Sequence, residues 1–351
     1  MGLEEQNVTP RGADPLETTL DAVPELPRRV LATYARLMQL ETWLRQMVYV
    51  ELRAAYGNAW QQSIARLPGI SLNSDARLTH MPTPEQSPIS YITFGTLLKT
   101  IANNWHLFEP YLPPQDLWTS KLEEVSQIRN RVAHFRYGHG DDLDRVLRFM
   151  RDIDQGFWRF CTSYNNTQPV LPPTRDPVVK RFHALNKFPY VQVEKRKWAM
   201  VGAADPDAIL SVAVNVLRRP WRADRATGRI AGQDGYLYDV SIAGQHRRSF
   251  DYSRYLQDTA RLHGSLVHIC LDAFGAAVRV TIPAALGTRL LNTTIQGFVD
   301  WAPNALHRST DTVDRQDEIE RVAEEWPEYV LGPKNPLCYL GPDMPCSFFA
   351  A

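Results

Sequence analysis

The chain has 351 residues, which is enough for two domains of ordinary size. Its 39 basic and 39 acidic residues cancel, so RNA contacts would have to come from local patches rather than from an overall positive field. No apolar stretch approaches the length of a membrane-spanning helix, and no basic and apolar leader is found near the first residue. These features predict a cytoplasmic protein that does not bind membranes. The four cysteines lack zinc-ligand spacing, so we expect reduced thiols and no metal site.

The first half of the chain has the apolar periodicity of helices. Residues 1–24 are polar and contain prolines, which predicts a loose arm. From Pro27 to Gly57 apolar residues recur at helical spacing, and a loop is predicted over residues 67–88. Three further helices are predicted over residues 90–107, 116–137 and 141–164. Residues 25–164 are therefore expected to form an all-helical domain.

The second half differs in composition and in apolar periodicity. Residues 165–189 are rich in proline and predict a linker. Strands are predicted where Val, Ile, Tyr and Leu are concentrated, over residues 190–201, 235–242, 266–272 and 276–282. Helices are predicted over residues 206–217, 252–263, 284–298 and 311–328. This order predicts a small α+β domain over residues 190–335, of sensing, regulatory or targeting role, followed by a tail over residues 336–351.

The chemistry-bearing residues lie on the predicted third helix. Asn130 and His134 are four residues apart and share one helix face, with Arg129 beside them. A histidine can remove the proton of a ribose 2′-hydroxyl, an arginine can bind the phosphate, and an asparagine can orient either group. This set is suited to RNA cleavage without a metal, which leaves a 2′,3′-cyclic phosphate and a 5′-hydroxyl. The alternative is a solvated polar helix face with a capping histidine.

The same segment resembles the signature of the HEPN superfamily, an arginine, a polar residue, three spacer residues and a histidine. Residues 40–45 and 93–98 are similar to the corresponding parts of HEPN domains in bacterial abortive-infection and toxin proteins. The resemblance covers about residues 25–164, and it implies a helical bundle, ribonuclease activity without a cofactor, and a homodimer through the motif helix. Some members have a tyrosine two positions after the histidine. Here that position is Arg136 and the tyrosine is Tyr137, which puts control by a partner that modifies the tyrosine in doubt.

Further residues are candidates for supporting roles. Glu41 interrupts an apolar stripe and Arg45 lies four residues later, which predicts either an ordinary helix ion pair or a contact that orients the cleft. Arg136 is a candidate for the same orienting role. Basic residues near aromatic ones can follow single-stranded RNA, although a solvated surface is the commoner meaning of such runs. The candidates for RNA contact are Arg131, Lys195, Arg196, Lys197, Arg218, Arg219 and Arg222.

These features together predict a metal-independent endoribonuclease that acts on RNA as a toxin or antiphage, abortive-infection effector. An antitoxin or a phage-derived trigger would be its partner. Ser126 and Ala133 are small residues beside the motif, which is compatible with close approach of a second copy. The alternative is a catalytically silent HEPN module that binds RNA or a nucleotide, or that scaffolds a complex.

Overall fold

The structure is a computed structural model that describes residues 27–81, 85–166, 175–194, 197–202, 205–224, 228–309 and 315–350. The predicted loose arm, residues 1–24, lies outside the described residues. None of the described helices is both long and apolar enough to cross a membrane.

The first half of the chain is helical, as predicted. Its helices are α1 (Arg28–Tyr56), α2 (Gly69–Asp75), α3 (Pro88–Tyr91), α4 (Phe94–Asn103), α5 (Trp105–Phe108), α6 (Gln115–Ala133) and α7 (Asp142–Tyr164). Helix α1 packs against α4, α6 and α7, and its Leu40, Leu44 and Val48 are fully buried. The apolar spacing of α6 likewise buries Val125 and Ile128, which leaves the opposite face of that helix available for other contacts.

Two details of the helical half differ from the sequence prediction. The helix expected over residues 90–107 is interrupted because Ile92 is extended and Thr93 starts a new helix by accepting a hydrogen bond from the backbone N–H of Thr96 at 3.2 Å. The expected loop over residues 67–88 contains the short helix α2. Both differences arise at capping and turn positions, where helical periodicity gives little information.

The second half contains a mixed sheet with helices, which confirms the predicted α+β class. The strands are β1 (Tyr190–Glu194), β2 (Lys197–Met200), β3 (Leu210–Arg218), β4 (Tyr236–Gly244), β5 (Arg248–Phe250), β6 (His268–Leu271), β7 (Ala277–Pro283), β8 (Leu306–Arg308) and β9 (Val330–Leu331). The helices are α8 (Pro177–Phe182), α9 (Tyr252–Thr259), α10 (Gly287–Ala305), α11 (Gln316–Glu324) and α12 (Pro336–Tyr339). The main sheet has the order β3-β4-β7-β6-β9, antiparallel except between β6 and β9.

One element of the second half was predicted wrongly. Residues 206–217 were expected to be helical, but β3 occupies residues 210–218 and pairs with β4 along its whole length. Val212, Val214 and Val216 alternate with less buried residues, which is the period of a strand. β-Branched side chains pack well on a pleated surface, and the sheet partner supplies the hydrogen bonds that a helix would have made internally.

The sheet lies between two layers of helices. Leu217, Leu237 and Val267 face the helical half and join its core, whereas Val240 and Val280 belong to a second core with α8, α9 and α10. The halves therefore share a continuous buried interface, and they are further joined by polar contacts within it.

Two segments with little predicted structure are packed into these cores. The described part of the expected linker contains α8, whose Val178 and Phe182 are buried in the second core, and buried Asp176 caps this helix. The expected tail contains α12, and Phe349 near its end is buried among residues of the helical half. Both segments were read as connections because proline and polar residues dominate them, although each also contains apolar anchors.

Candidate active site

The motif helix α6 ends immediately before His134, which is its C-cap residue. Beyond it, the backbone N–H of Phe135 donates to the carbonyl of Val132 at 3.2 Å and that of Arg136 to the carbonyl of Arg131 at 2.9 Å. This is a Schellman arrangement, in which a residue with positive φ ends the helix. Phe135 has φ of 52°, a conformation that costs a non-glycine residue about 1–2 kcal/mol. The turn fixes the backbone of His134 at the helix end, and the helix stops at Ala133 instead of continuing to residue 137 as the sequence predicted.

Arg129 is positioned by contacts from two other helices. Its Nε donates to Glu41 Oε2 of α1 at 3.4 Å, and its guanidinium carbon lies 5.9 Å from the centre of the Phe94 ring at the start of α4. Glu41 also forms an ion pair with Arg45, which in turn donates to the carbonyls of Ile89 and Ile92. The carboxylate of Glu41 thus joins both arginines, so the ion pair expected within α1 is present and extends to the motif.

Asn130 and His134 lie on the solvent-exposed side of α6. Within the described ranges neither side chain makes a hydrogen bond to another protein group. The backbone N–H of His134 donates to the carbonyl of Asn130 at 3.2 Å, so the two residues are one helical turn apart as their spacing predicts. The imidazole and the amide are therefore free to contact a substrate or a second copy of the chain.

A cavity of about 280 Å³ opens beside Arg129, between α1 and α6. Its wall combines apolar side chains from both helices with the polar side chains of Glu41, Thr42, Arg45 and Arg129. The residues that line it are Tyr34, Leu37, Met38, Glu41, Thr42, Arg45, Arg129, Val132 and Ala133. Tyr34 and Met38 are more than half exposed, and Phe135 is 99% exposed. Exposed apolar side chains therefore border the motif, and their contact with water is unfavourable.

The remaining candidate residues near the motif have different environments. Arg131 forms an ion pair with Asp142 at the start of α7, on the side of α6 away from Glu41. Arg136 is exposed, and its backbone N–H closes the Schellman turn. The Arg131 ion pair and the Arg136 turn therefore fix the main chain around the motif.

The two basic clusters of the second half are only partly available for RNA. Lys195 and Arg196 lie outside the described residues, and Lys197 begins β2. Arg218 is exposed at the end of β3. Arg222 forms ion pairs with Asp224 and Asp234 at the protein surface.

Arg219 cannot contact RNA in this fold, which corrects its assignment as an RNA-binding candidate. Its side chain is completely buried, and its Nη2 lies 2.6 Å from Oε1 of Glu51, which is also completely buried. Arg219 further donates to the hydroxyl of Tyr111 at 3.0 Å, while Trp221 donates to Glu51 at 2.7 Å. A buried charge needs such partners, so Arg219 joins the second half to α1 instead of facing solvent.

Sequence reasoning missed Phe94 and Phe135. Phe94 contacts Arg129 from a helix about 35 residues earlier in the chain, whereas the sequence indicated only that it lies within the helix predicted over residues 90–107. The sequence predicts Phe135 to lie within the helix, whereas it is a turn residue with an exposed side chain. The contact of Phe94 depends on tertiary packing, and the turn at Phe135 lacks the glycine that usually indicates a helix end.

Comparison with known families gives one match, in the helical half. Residues 36–155 match the family model described as Swt1-like HEPN, and this range includes most of α1, all of α4 and α6, and most of α7. No curated protein and no solved structure matches the chain. HEPN domains are commonly ribonucleases and often bind RNA, so the match indicates a nuclease or RNA-related module. Residues 36–155, in the first half of the chain, therefore match a HEPN domain.

Proposed function

We propose that the chain is a metal-independent endoribonuclease whose catalytic residues are Arg129, Asn130 and His134. The observation that supports this most strongly is the arrangement at the end of α6. There Arg129 is anchored by Glu41 while Asn130 and His134 are exposed on the same helix. A preorganised arginine beside an accessible histidine is suited to stabilising a phosphate during cleavage.

The proposed reaction transfers the phosphate within the RNA. His134 removes the proton of a 2′-hydroxyl, and the 2′-oxygen attacks the adjacent phosphorus while the bond from phosphorus to the 5′-oxygen breaks. Arg129 binds the non-bridging oxygens through its planar guanidinium, and Asn130 orients the imidazole or the phosphate. The leaving 5′-oxygen also needs a proton. One motif has a single imidazole, and that imidazole already acts as the base.

We infer that a second copy of the chain supplies the missing acid. A twofold contact through α6 would bring two copies of His134 and Arg129 into one cleft. Ala133 is exposed and small on this helix, and the exposed side chains of Met38 and Phe135 border it. Burial of such apolar surface would stabilise the dimer.

The dimer can be tested with a bulky substitution. Ala133→Trp is expected to give a monomer by light scattering and to abolish cleavage of a fluorescent RNA. Leu117→Trp, at an exposed position near the start of the same helix, is the matched control and should leave both properties unchanged. An Ala133→Trp monomer with full activity would contradict the composite site without contradicting the ribonuclease assignment.

The biological role that we propose is that of a toxin or antiphage effector, with the second half sensing a trigger, binding an antitoxin or targeting the nuclease. This follows the resemblance to abortive-infection HEPN domains and the extensive buried interface between the halves. Expression of the wild-type chain in bacteria should arrest growth, and expression of His134→Ala should not. Equal growth of the two strains would contradict the toxin role.

The activity itself is tested with purified full-length protein and labelled RNA in the presence of EDTA. Wild-type protein should cut the RNA, and His134→Ala should lower the rate by about a hundredfold or more. His139→Ala removes an exposed imidazole from the neighbouring loop and is the matched control, with an expected rate equal to that of wild type. RNA binding without cleavage by all three proteins would favour the catalytically silent HEPN module.

A further inference from the structure

Two cysteines meet where the terminal segment leaves the sheet. Cys270 lies on β6, and Cys338 lies on α12. Helix α12 packs against β6, so the two residues lie on contacting elements. Cys270 Sγ also lies 3.8 Å from the carbonyl oxygen of Leu337, and Cys338 Sγ lies 3.5 Å from that of Leu331, the residue that pairs with Cys270 across β6 and β9. Both sulfurs therefore occupy one small volume between the sheet edge and α12.

A partly buried arginine makes the two thiols chemically unequal. Arg279 Nη2 lies 3.3 Å from Cys270 Sγ, and the same guanidinium donates to the carbonyl of Leu337. Burial alone would raise the pKa of Cys270, but the hydrogen bond from Cys338 and the charge of Arg279 outweigh it and lower the pKa to about 7. Burial and the neighbouring Cys270 raise the pKa of Cys338 well above its usual value. The pair thus combines a reactive thiolate with a protonated thiol beside it.

We propose that Cys270 and Cys338 are an oxidation site that hydrogen peroxide or a similar two-electron oxidant converts into a disulfide. The Cys270 thiolate attacks one oxygen of the peroxide, the O–O bond breaks, and hydroxide leaves, so that Cys270 becomes a sulfenic acid. Cys338 sulfur then attacks Cys270 sulfur, the S–O bond breaks, and the oxygen leaves as water with the proton of Cys338. Two thiols are oxidised and one peroxide is reduced to two waters, the hydroxide being protonated by solvent. Cys338 is the less buried residue of the pair.

The disulfide would fasten α12 to the sheet with a covalent bond. The segment that follows α12 returns to the helical half, where the backbone N–H of Phe349 donates to Asp154 at 2.7 Å and Arg36 donates to the Phe349 carbonyl at 3.0 Å. Arg36 lies on the same part of α1 as Tyr34 and Met38, which border the motif. Oxidation would consequently fix the terminal segment against the HEPN domain. This inference does not depend on the proposed ribonuclease activity.

The test uses reduced full-length protein treated with a small molar excess of hydrogen peroxide, then denatured, alkylated and digested for peptide mass spectrometry. The expected product is a peptide pair joined through Cys270 and Cys338, lighter by two hydrogens than the separate peptides, while Cys161 stays alkylated. Cys346→Ser removes the exposed thiol and should form the same disulfide, whereas Cys338→Ser should leave a Cys270 sulfenic acid that dimedone traps.

The peptide analysis of peroxide-treated wild-type protein is sufficient to decide the outcome. The test therefore does not depend on whether the variants fold. Full alkylation of both Cys270 and Cys338, under conditions in which peroxide has already oxidised the exposed Cys346, would overturn the proposal. A disulfide that joins either residue to Cys161 or Cys346 would overturn it as well.

Discussion

Removal of the buried arginine that joins the two halves should strongly destabilise the protein. In Arg219→Met the side-chain volume is retained, but Glu51 loses the partner that lies 2.6 Å away at a completely buried position. Among the described residues, its carboxylate then keeps the hydroxyl of Tyr111 at 2.9 Å and the indole N–H of Trp221 at 2.7 Å. Loss of one member of a buried ion pair costs about 3–5 kcal/mol, because the remaining charge stays in a poorly polarisable interior.

This cost is measurable as a decrease in the free energy of unfolding in urea, followed by tryptophan fluorescence. Arg222→Met is the matched control, since Arg222 pairs with Asp234 at the surface, and such pairs contribute about 1 kcal/mol or less. The double variant Glu51→Leu with Arg219→Met should recover much of the loss, because neither charge then remains buried. If Arg219→Met lowers the free energy of unfolding no more than Arg222→Met does, the buried pairing is refuted. Arg219 would then again be a candidate for RNA contact.

Three further predictions concern the motif and the buried histidines. Arg129→Lys retains the charge but loses the planar guanidinium, so the cleavage rate of a fluorescent RNA should decrease by about a hundredfold; an unchanged rate would indicate a purely electrostatic role. Phe135→Gly should raise the free energy of unfolding by about 1 kcal/mol, since glycine adopts positive φ without strain and the exposed ring loses no packing; a decrease in stability would contradict the strained turn. Burial lowers the pKa of His268 to about 3 and that of His263 to about 4, so the unfolded chain binds protons that the folded chain does not below about pH 6.5. The free energy of unfolding should therefore be constant above that pH and decrease as the pH falls. The expected decrease at about pH 5 is about 2 kcal/mol per histidine. Equal midpoints of urea unfolding at about pH 5 and about pH 7.5 would contradict this.

Much of the architecture could be predicted because it depends on local periodicity. The apolar spacing of α6 and α7 gave their positions within a few residues, and alternation gave β4 and β7. The sequence did not predict the strand β3. The residues from Pro206 onward, which precede its valines, also fit the start of a helix in their polarity and apolar spacing. Pairing with β4 decides between a helix and a strand here, and the spacing of residues in the sequence does not reveal that pairing.

The candidate site depends on both local and distant contacts. Arg129, Asn130 and His134 could be proposed together from the sequence because they lie within two turns of one another. The contact between Arg129 and Glu41 joins residues 88 positions apart, so the sequence could suggest only the nearer partner of Glu41, which is Arg45. Arg219 illustrates the converse problem. A run of arginines is usually solvated, and nothing local showed that this one meets a carboxylate 168 positions earlier.

The central claim, metal-independent cleavage by 2′-hydroxyl attack, is tested most directly by the chemical ends of the RNA products. Purified protein should be incubated with a short defined RNA in EDTA, and the fragments analysed by mass spectrometry. The account predicts upstream fragments that end in a 2′,3′-cyclic phosphate, downstream fragments with a 5′-hydroxyl, and neither product with His134→Ala. Fragments with a 5′-phosphate and a 3′-hydroxyl, or cleavage that requires added Mg²⁺, would contradict it.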